Sequence, residues 1–277
     1  MKIGVLGSGI MGNGIAQVFA TAGYEVTVVD INEEVLHKAK ETIEKSLGKL
    51  SKKQDIQVDE VLNRLIFKTD RTSLKDRDLV IEAITENIEA KKEVFKELDE
   101  ICNQKTILAS NTSSLSISEM AAVTNRPDRV CGLHFFNPVP LMKLVEIVGT
   151  KQTSTETLAI VEELIGSINK ESIRVTDTPL FVVNRLLVPM LSEAIFLVEE
   201  GTATVKDIDK GMQLGASHPI GPLWLADMIG LDTLLYIQEA LYNKTGDSKY
   251  KVPALLRDMV EAGNLGRKTG KGFYEYK

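Results

Sequence analysis

Histidine is the side chain whose ordinary range suits proton transfer near neutral pH, and this 277-residue chain has only three. His37 falls on the polar face of an amphipathic stretch, and His218 precedes Pro219 in a loop pattern. His134 alone sits in an apolar run, Val130-Cys131-Gly132-Leu133-His134-Phe135-Phe136, and a second such run, Leu144-Val145-Glu146-Ile147-Val148, carries an acid. Asn137-Pro138-Val139-Pro140 between them marks a hairpin-like return. If that return is symmetric about Pro140, His134 and Glu146, each six residues from it, face each other. Directly opposed residues have Cβ atoms about 4.5–5.5 Å apart, within reach of a carboxylate–imidazole hydrogen bond. A histidine held this way keeps one tautomer, and its imidazolium is stabilised when a proton arrives. Such a pair could take the hydroxyl proton of an alcohol while hydride leaves the same carbon. A core histidine satisfied by a nearby acid has the same pattern, and both readings stand on these residues alone.

Hydride transfer needs an acceptor, and the first thirty residues describe a place for one. Lys2–Leu6 is apolar and partly β-branched, fit for a short buried strand. Gly7-Ser8-Gly9-Ile10-Met11-Gly12 follows as G-x-G-x-x-G, then Ile15, Val18, Phe19 and Ala22 recur at helical spacing until Gly23. Glu25–Val29 forms a second strand, ended by Asp30, eighteen residues after Gly12. Strand, glycine turn, helix, strand and acid make the dinucleotide-binding unit. The helix N-terminus offers free N–H groups to the pyrophosphate, and the acid accepts from the adenosine ribose. Asp30 repels a 2′-phosphate, and Ile31-Asn32 supply no Arg to hold one, so NAD is favoured over NADP.

These side chains need a scaffold. An amphipathic helix over about 33–50 has Val35, Leu36, Ala39, Ile43, Leu47 and Leu50 as its apolar stripe. Lys45, Lys49, Lys52 and Lys53 cluster at its far end, either as a solvated face or as a patch for a phosphate-bearing ligand. Asp78–Ile84 is another strand, followed by Thr85-Glu86-Asn87 and a helix with Ile88, Val94, Phe95, Leu98 and Ile101 on one face. Thr106–Ala109 runs into the small polar loop Ser110-Asn111-Thr112-Ser113-Ser114. Alternating strands and helices imply a doubly wound, Rossmann-type, mostly parallel sheet, whose ligands sit beyond the carboxyl ends of the strands. Glu86, Asn111 and Ser113 lie at such ends. A helix of about 155–168 and a last strand at Ile173-Arg174-Val175 complete this α/β domain, residues 1–180. From 181 to 277 strand signals vanish. Pro179 is expected in the first turn of a long helix that Pro189 kinks, and further helices are expected at about 204–214, 223–243 and 253–262. The expectation is an all-helical C-terminal domain whose apolar content points to a subunit interface.

Composition narrows the class. Hydrophobic residues make up 43% and charged residues 26%, a globular profile. The net charge of −6 disfavours nucleic acid as partner. No apolar run approaches a membrane span, and no leader pattern precedes the first strand, so a cytoplasmic protein is expected. Cys102 and Cys131 lie in apolar stretches and fit buried thiols in a reducing compartment rather than a disulfide or metal site.

Several stretches together resemble one family. Gly7–Gly12, Ala83-Ile84-Thr85-Glu86-Asn87, Ser110–Ser114, His134-Phe135-Phe136-Asn137-Pro138, Asn184-Arg185-Leu186-Leu187, Gly230-Leu231-Asp232-Thr233 and Lys268-Thr269-Gly270-Lys271-Gly272-Phe273-Tyr274 look like the L-3-hydroxyacyl-CoA dehydrogenases. The resemblance runs in order through nearly the whole chain, and is nearest to the bacterial enzymes acting on 3-hydroxybutyryl-CoA. It implies reversible oxidation of a short (S)-3-hydroxyacyl-CoA to its 3-oxo form with NAD, a step shared by butanoate and fatty-acid metabolism. It makes His134 the base and Glu146 its orienting partner, with Ser113 and Asn184 on the substrate oxygens. Gly7, Ser8, Gly9, Ile10, Met11, Gly12, Asp30, Glu86, Lys91, Asn111, Ser113, Asn137 and Lys268 match positions on the cofactor side. Ser46 and Lys53, with Ser113, match positions on the CoA substrate. It also implies a homodimer through the helical domain and a cleft that closes between domains. One departure is Leu180, where the family usually has Gly; Leu is expected to exclude a positive φ there and to crowd the acyl end of the cleft. Rival readings are a non-catalytic, crystallin-like relative that keeps the fold, and a β-hydroxyacid dehydrogenase acting on a free acid. The latter relies on a lysine base, which the His-Phe-Phe-Asn-Pro stretch speaks against.

Overall fold

The computed structural model describes residues 1–276. They fall into two compact units, Met1–Phe181 and a second from Val182 onward. No helix among the described residues is long and apolar enough to cross a membrane.

The first unit is built on eight strands: β1 (Lys2–Leu6), β2 (Glu25–Val29), β3 (Leu65–Lys68), β4 (Leu79–Glu82), β5 (Ile107–Ser110), β6 (Val130–Phe135), β7 (Leu144–Gly149) and β8 (Glu171–Thr176). They form one sheet in the order β3-β2-β1-β4-β5-β6-β7-β8. β1 to β6 run parallel; β7 is antiparallel to β6, and β8 runs parallel to β7. The order reverses between β1 and β4, the switch point that opens a ligand crevice at the carboxyl ends of the strands.

Helices cover both faces, because each central strand is apolar on both sides. Ile3, Val5, Val26, Val28 and Ile81 pack with Ile15, Phe19, Leu36 and Ile43 on one face. Leu6, Val80 and Leu108 pack with Phe95, Leu98, Ile117 and Met120 on the other. The helices are α1 (Ile10–Thr21), α2 (Glu33–Leu50), α3 (Val58–Asn63), α4 (Ile88–Ile101), α5 (Ile117–Ala121) and α6 (Thr155–Ser167). Side-chain caps set the starts of α2, α4 and α6: Asn32 accepts from Val35 N, Asn87 from Ala90 N, and Ser154 from Thr157 N. Both cysteines are buried and free, and burial pushes the Cys131 thiol up to about 12.

The second unit is helical: α7 (Val183–Glu199), α8 (Val205–Gly215), α9 (Pro222–Ile229), α10 (Leu231–Thr245) and α11 (Ala254–Glu261). The single helix expected over 223–243 is two, because Gly230 takes φ +100° and ends α9. Buried Asp227 staples the C-terminal tail to α9, accepting from Phe273 N and Tyr274 N at 2.9 Å and from the Tyr276 hydroxyl at 2.9 Å.

Leu180 overturns its expectation. It adopts φ +62°, and Phe181 follows at φ +55°. Two successive left-handed residues turn the chain sharply, so α7 begins at Val183 and Pro179 lies outside it. Each such residue costs about 1–2 kcal/mol. Burial of both side chains, each 2% exposed, offsets this at about 1.5–3 kcal/mol apiece. The strain brings the Phe181 ring to 5.7 Å from the His134 ring.

Candidate active site

The β6–β7 register pairs His134 with Glu146 directly. His134 Nδ1 lies 2.6 Å from Glu146 Oε2, with the imidazole 7% and the carboxylate 0% exposed. A carboxylate can only accept, so Nδ1 donates and the Nε2 lone pair is left to meet a ligand. Phe136 packs on the imidazole at 4.4 Å between centroids, opposing rotation of the ring. Lys170 Nζ donates to the carbonyls of Val139 at 2.7 Å and Met142 at 2.6 Å, pinning the loop between the two strands. Because β6 runs parallel to β5, His134 stands near the carboxyl end of its strand, on the crevice edge.

The crevice side fits a dinucleotide. Gly7 takes φ +100°, and a methyl group there would meet the Ala83 carbonyl. A methyl at Gly12 would overlap the Gly7 carbonyl, whereas the Cβ direction of Gly9 is open space. Unlike α2 and α4, α1 has no side-chain cap, so its first N–H groups remain available to an anion. Asn13, in the first turns of α1, is buried with Oδ1 lacking any hydrogen-bond partner among the described residues. Asp30 Oδ2 accepts from Ser8 N at 2.6 Å and Ser8 Oγ at 2.7 Å, and Oδ1 from Ile31 N at 2.7 Å. The acid thus stands at the glycine turn itself. Ile10 is largely exposed and Met11 half-buried, beside the same turn.

The other crevice residues are held in one network. Glu86 accepts from the Thr112 hydroxyl, from Ser113 N at 3.1 Å and from Ser114 Oγ at 3.2 Å. Lys91 is 1% exposed, with its ammonium 2.5 Å from Glu82 Oε1 and 3.4 Å from Glu86 Oε2. Asn111 Oδ1 accepts from Phe135 N at 3.0 Å, tying the loop after β5 to the residue next to His134. Glu82 escapes the sequence reading, although an acid closing the apolar run Leu79-Val80-Ile81 was the visible signal. The Phe181 contact with His134 has no such signal.

The remaining candidates are more dispersed. Asn137 is exposed on the β6–β7 loop and lines, with Ser8, Gly9, Asn13, Lys38 and Ser46, a cavity of about 390 Å³. Ser46 is half-buried there, while Lys53 lies on the exposed turn after α2, outside that lining. Lys45 pairs with Glu41 at 3.5 Å, but Lys49, Lys52 and Lys53 have no ion-pair partner among the described residues. Asn184 and Lys268 belong to the second unit. Asn184 is the second residue of α7, and Lys268 Nζ is held by Asp232 Oδ1 and Oδ2 at 2.5 and 2.6 Å. No group of three or more candidate metal ligands occurs among the described residues.

Residues 2–178 match the family model for the 3-hydroxyacyl-CoA dehydrogenase NAD binding domain, and residues 181–276 match that family's C-terminal domain. The chain is 49% identical over 279 residues to a 3-hydroxybutyryl-CoA dehydrogenase of Clostridioides difficile, covering 100% of this chain and 99% of that protein. It is 51% identical over 278 residues to a probable 3-hydroxybutyryl-CoA dehydrogenase of Deinococcus radiodurans, with 100% of both covered. The crystal structure of (S)-3-hydroxybutyryl-CoA dehydrogenase from Ralstonia eutropha superposes with a TM-score of 0.96 at 49% identity, covering 100% of this chain and 99% of that one. The glycine turn, its acid and the family match along the whole length lead to one conclusion: the protein belongs to the 3-hydroxyacyl-CoA dehydrogenase family, and its first unit is an NAD-binding domain.

Proposed function

We propose that the protein interconverts (S)-3-hydroxybutyryl-CoA and acetoacetyl-CoA with NAD(H), and that His134 is its general acid and base. The buried 2.6 Å contact between His134 Nδ1 and Glu146 Oε2 carries this reading. When bound, NAD⁺ accepts hydride from the carbinol carbon. His134 Nε2 takes the hydroxyl proton as the carbonyl forms, and Glu146 stabilises the resulting imidazolium. In the reverse direction the same imidazolium returns the proton to the nascent alkoxide. Ser113, at the carboxyl end of β5, and Asn184 hold the substrate oxygens. Ser46 and Lys53, with the unpaired lysines beside it, receive the CoA phosphates. Asp30 and the N-terminus of α1 receive the adenosine and pyrophosphate ends of the cofactor, and Glu86, Lys91, Asn111, Asn137 and Lys268 lie on its side. The helical unit exposes Leu186, Leu214 and Tyr236, which supports a homodimer formed through it. Two free buried cysteines suit a cytoplasmic setting.

NADH oxidation followed with acetoacetyl-CoA, free acetoacetate and no substrate tests the proposal. Turnover with the CoA ester alone is expected. Turnover with the free acid would favour a β-hydroxyacid dehydrogenase, and none with either would favour a binding-only relative.

Cofactor choice is tested at Asp30. Asp30→Ala is expected to lower the NADH-over-NADPH ratio of kcat/KM by about tenfold, the loss of one charge-assisted hydrogen bond together with relief of repulsion. A wild-type enzyme that already prefers NADPH would contradict the assignment.

A further inference from the structure

A fully buried ion pair sits beneath the crevice, on the sheet face covered by α4. Glu82 is the last residue of β4 and 0% exposed; Lys91, from the second turn of α4, is 1% exposed. Every oxygen of Glu82 is engaged. Oε1 accepts from Lys91 Nζ at 2.5 Å and from Ile84 N at 2.7 Å, and Oε2 accepts from Ser110 Oγ at 2.7 Å. Ser110 Oγ in turn accepts from Thr112 N at 3.2 Å. The Thr112 hydroxyl donates to Glu86, and Glu86 Oε2 returns to Lys91 at 3.4 Å. The contacts therefore close into a ring: Glu82, Ser110, Thr112, Glu86, Lys91 and back to Glu82. The ring spans the loops after β4 and β5, and it holds the Ser113 amide, which donates to Glu86 Oε1 at 3.1 Å.

Replacing a buried ion pair by an apolar set of the same volume is often neutral or stabilising, so stability alone does not account for the ring. What the ring supplies is fixed geometry where two loops meet the ligands. We propose that Glu82 is a positioning residue for the reaction, acting through this ring on Ser113 and Lys91. The inference rests on the reading that Ser113 holds a substrate oxygen. In Glu82→Gln the buried Lys91 ammonium loses its nearer anion. Glu86 is the remaining carboxylate within reach. As Glu86 closes on Lys91 it abandons Thr112, Ser113 and Ser114, and the loop after β5 loosens.

The test is amide hydrogen exchange in the cofactor-free enzyme, paired with steady-state kinetics. Glu82→Gln is expected to speed exchange over residues 111–116 by about 10-fold or more, with β1 and β2 unchanged. Its kcat with acetoacetyl-CoA is expected to fall by about 10- to 100-fold, the scale of a misplaced reacting group. Ser110→Ala removes one uncharged link and keeps the test decisive should Glu82→Gln fail to fold. It is expected to move exchange at 111–116 and kcat in the same directions, by about 3-fold each. Wild-type exchange at 111–116 in the variants, or faster exchange with unchanged kcat, would overturn the proposal. A wild-type enzyme inactive on acetoacetyl-CoA would instead strike the functional reading, while the exchange result would still decide whether the ring holds the loop.

Discussion

Replacing His134 with alanine is expected to lower kcat for acetoacetyl-CoA reduction by at least ~10²-fold, the lower end for a positioned acid–base group. The imidazole stands on the crevice edge, and alanine offers neither donor nor acceptor in its place. NADH affinity is expected to stay within about twofold, because the glycine turn and Asp30 directly follow β1 and β2 and have no hydrogen bond to His134. Turnover and fluorescence titration of NADH on the same preparation check both halves. Loss of NADH binding together with turnover would mean that the substitution damaged the fold rather than the chemistry.

Glu146→Gln is expected to cost about 10²- to 10⁴-fold in kcat with the backbone intact. The amide is nearly isosteric, so packing around this fully buried position changes little. Two things change electrically. Gln lacks the negative charge that stabilises the imidazolium, and its NH₂ group can donate to Nδ1. Donation there moves the imidazole proton to Nε2, the nitrogen that must accept from the substrate. Stopped-flow reduction by NADH, with the melting temperature measured alongside, distinguishes this effect from instability. A variant with unchanged Tm and wild-type kcat would leave Glu146 as a buried structural acid.

The hairpin was legible because its determinants are local. Apolar runs of similar length flank a proline-rich return, and their symmetry about Pro140 sets His134 opposite Glu146. The glycine turn was legible for the same reason, each glycine answering a steric demand within a few residues. β3 escapes that logic, since Leu65–Lys68 is four residues long and half-exposed at the sheet edge. Gly230 interrupts an apolar periodicity that continues on both sides, so α9 and α10 look like one helix until the positive φ is seen. Leu180 misleads most directly. A branched side chain argues against a left-handed backbone, and only the tertiary burial of Leu180 and Phe181 reverses that argument. The Glu82 ring joins the ends of β4 and β5, the loops after them and α4, and no single stretch of sequence contains its closure.

Proton transfer at His134 turns on which of its nitrogens holds the lone pair. The most direct measurement is the ¹⁵N spectrum of the imidazole in enzyme labelled at histidine, assigned by comparison with His134→Ala, at a pH where the ring is neutral. A protonated Nδ1 and a bare, pyridine-type Nε2 are expected, because Nδ1 faces the Glu146 carboxylate. A neutral ring carrying its proton on Nε2 would contradict the proposed role of His134, because that nitrogen could not take a proton from the substrate alcohol.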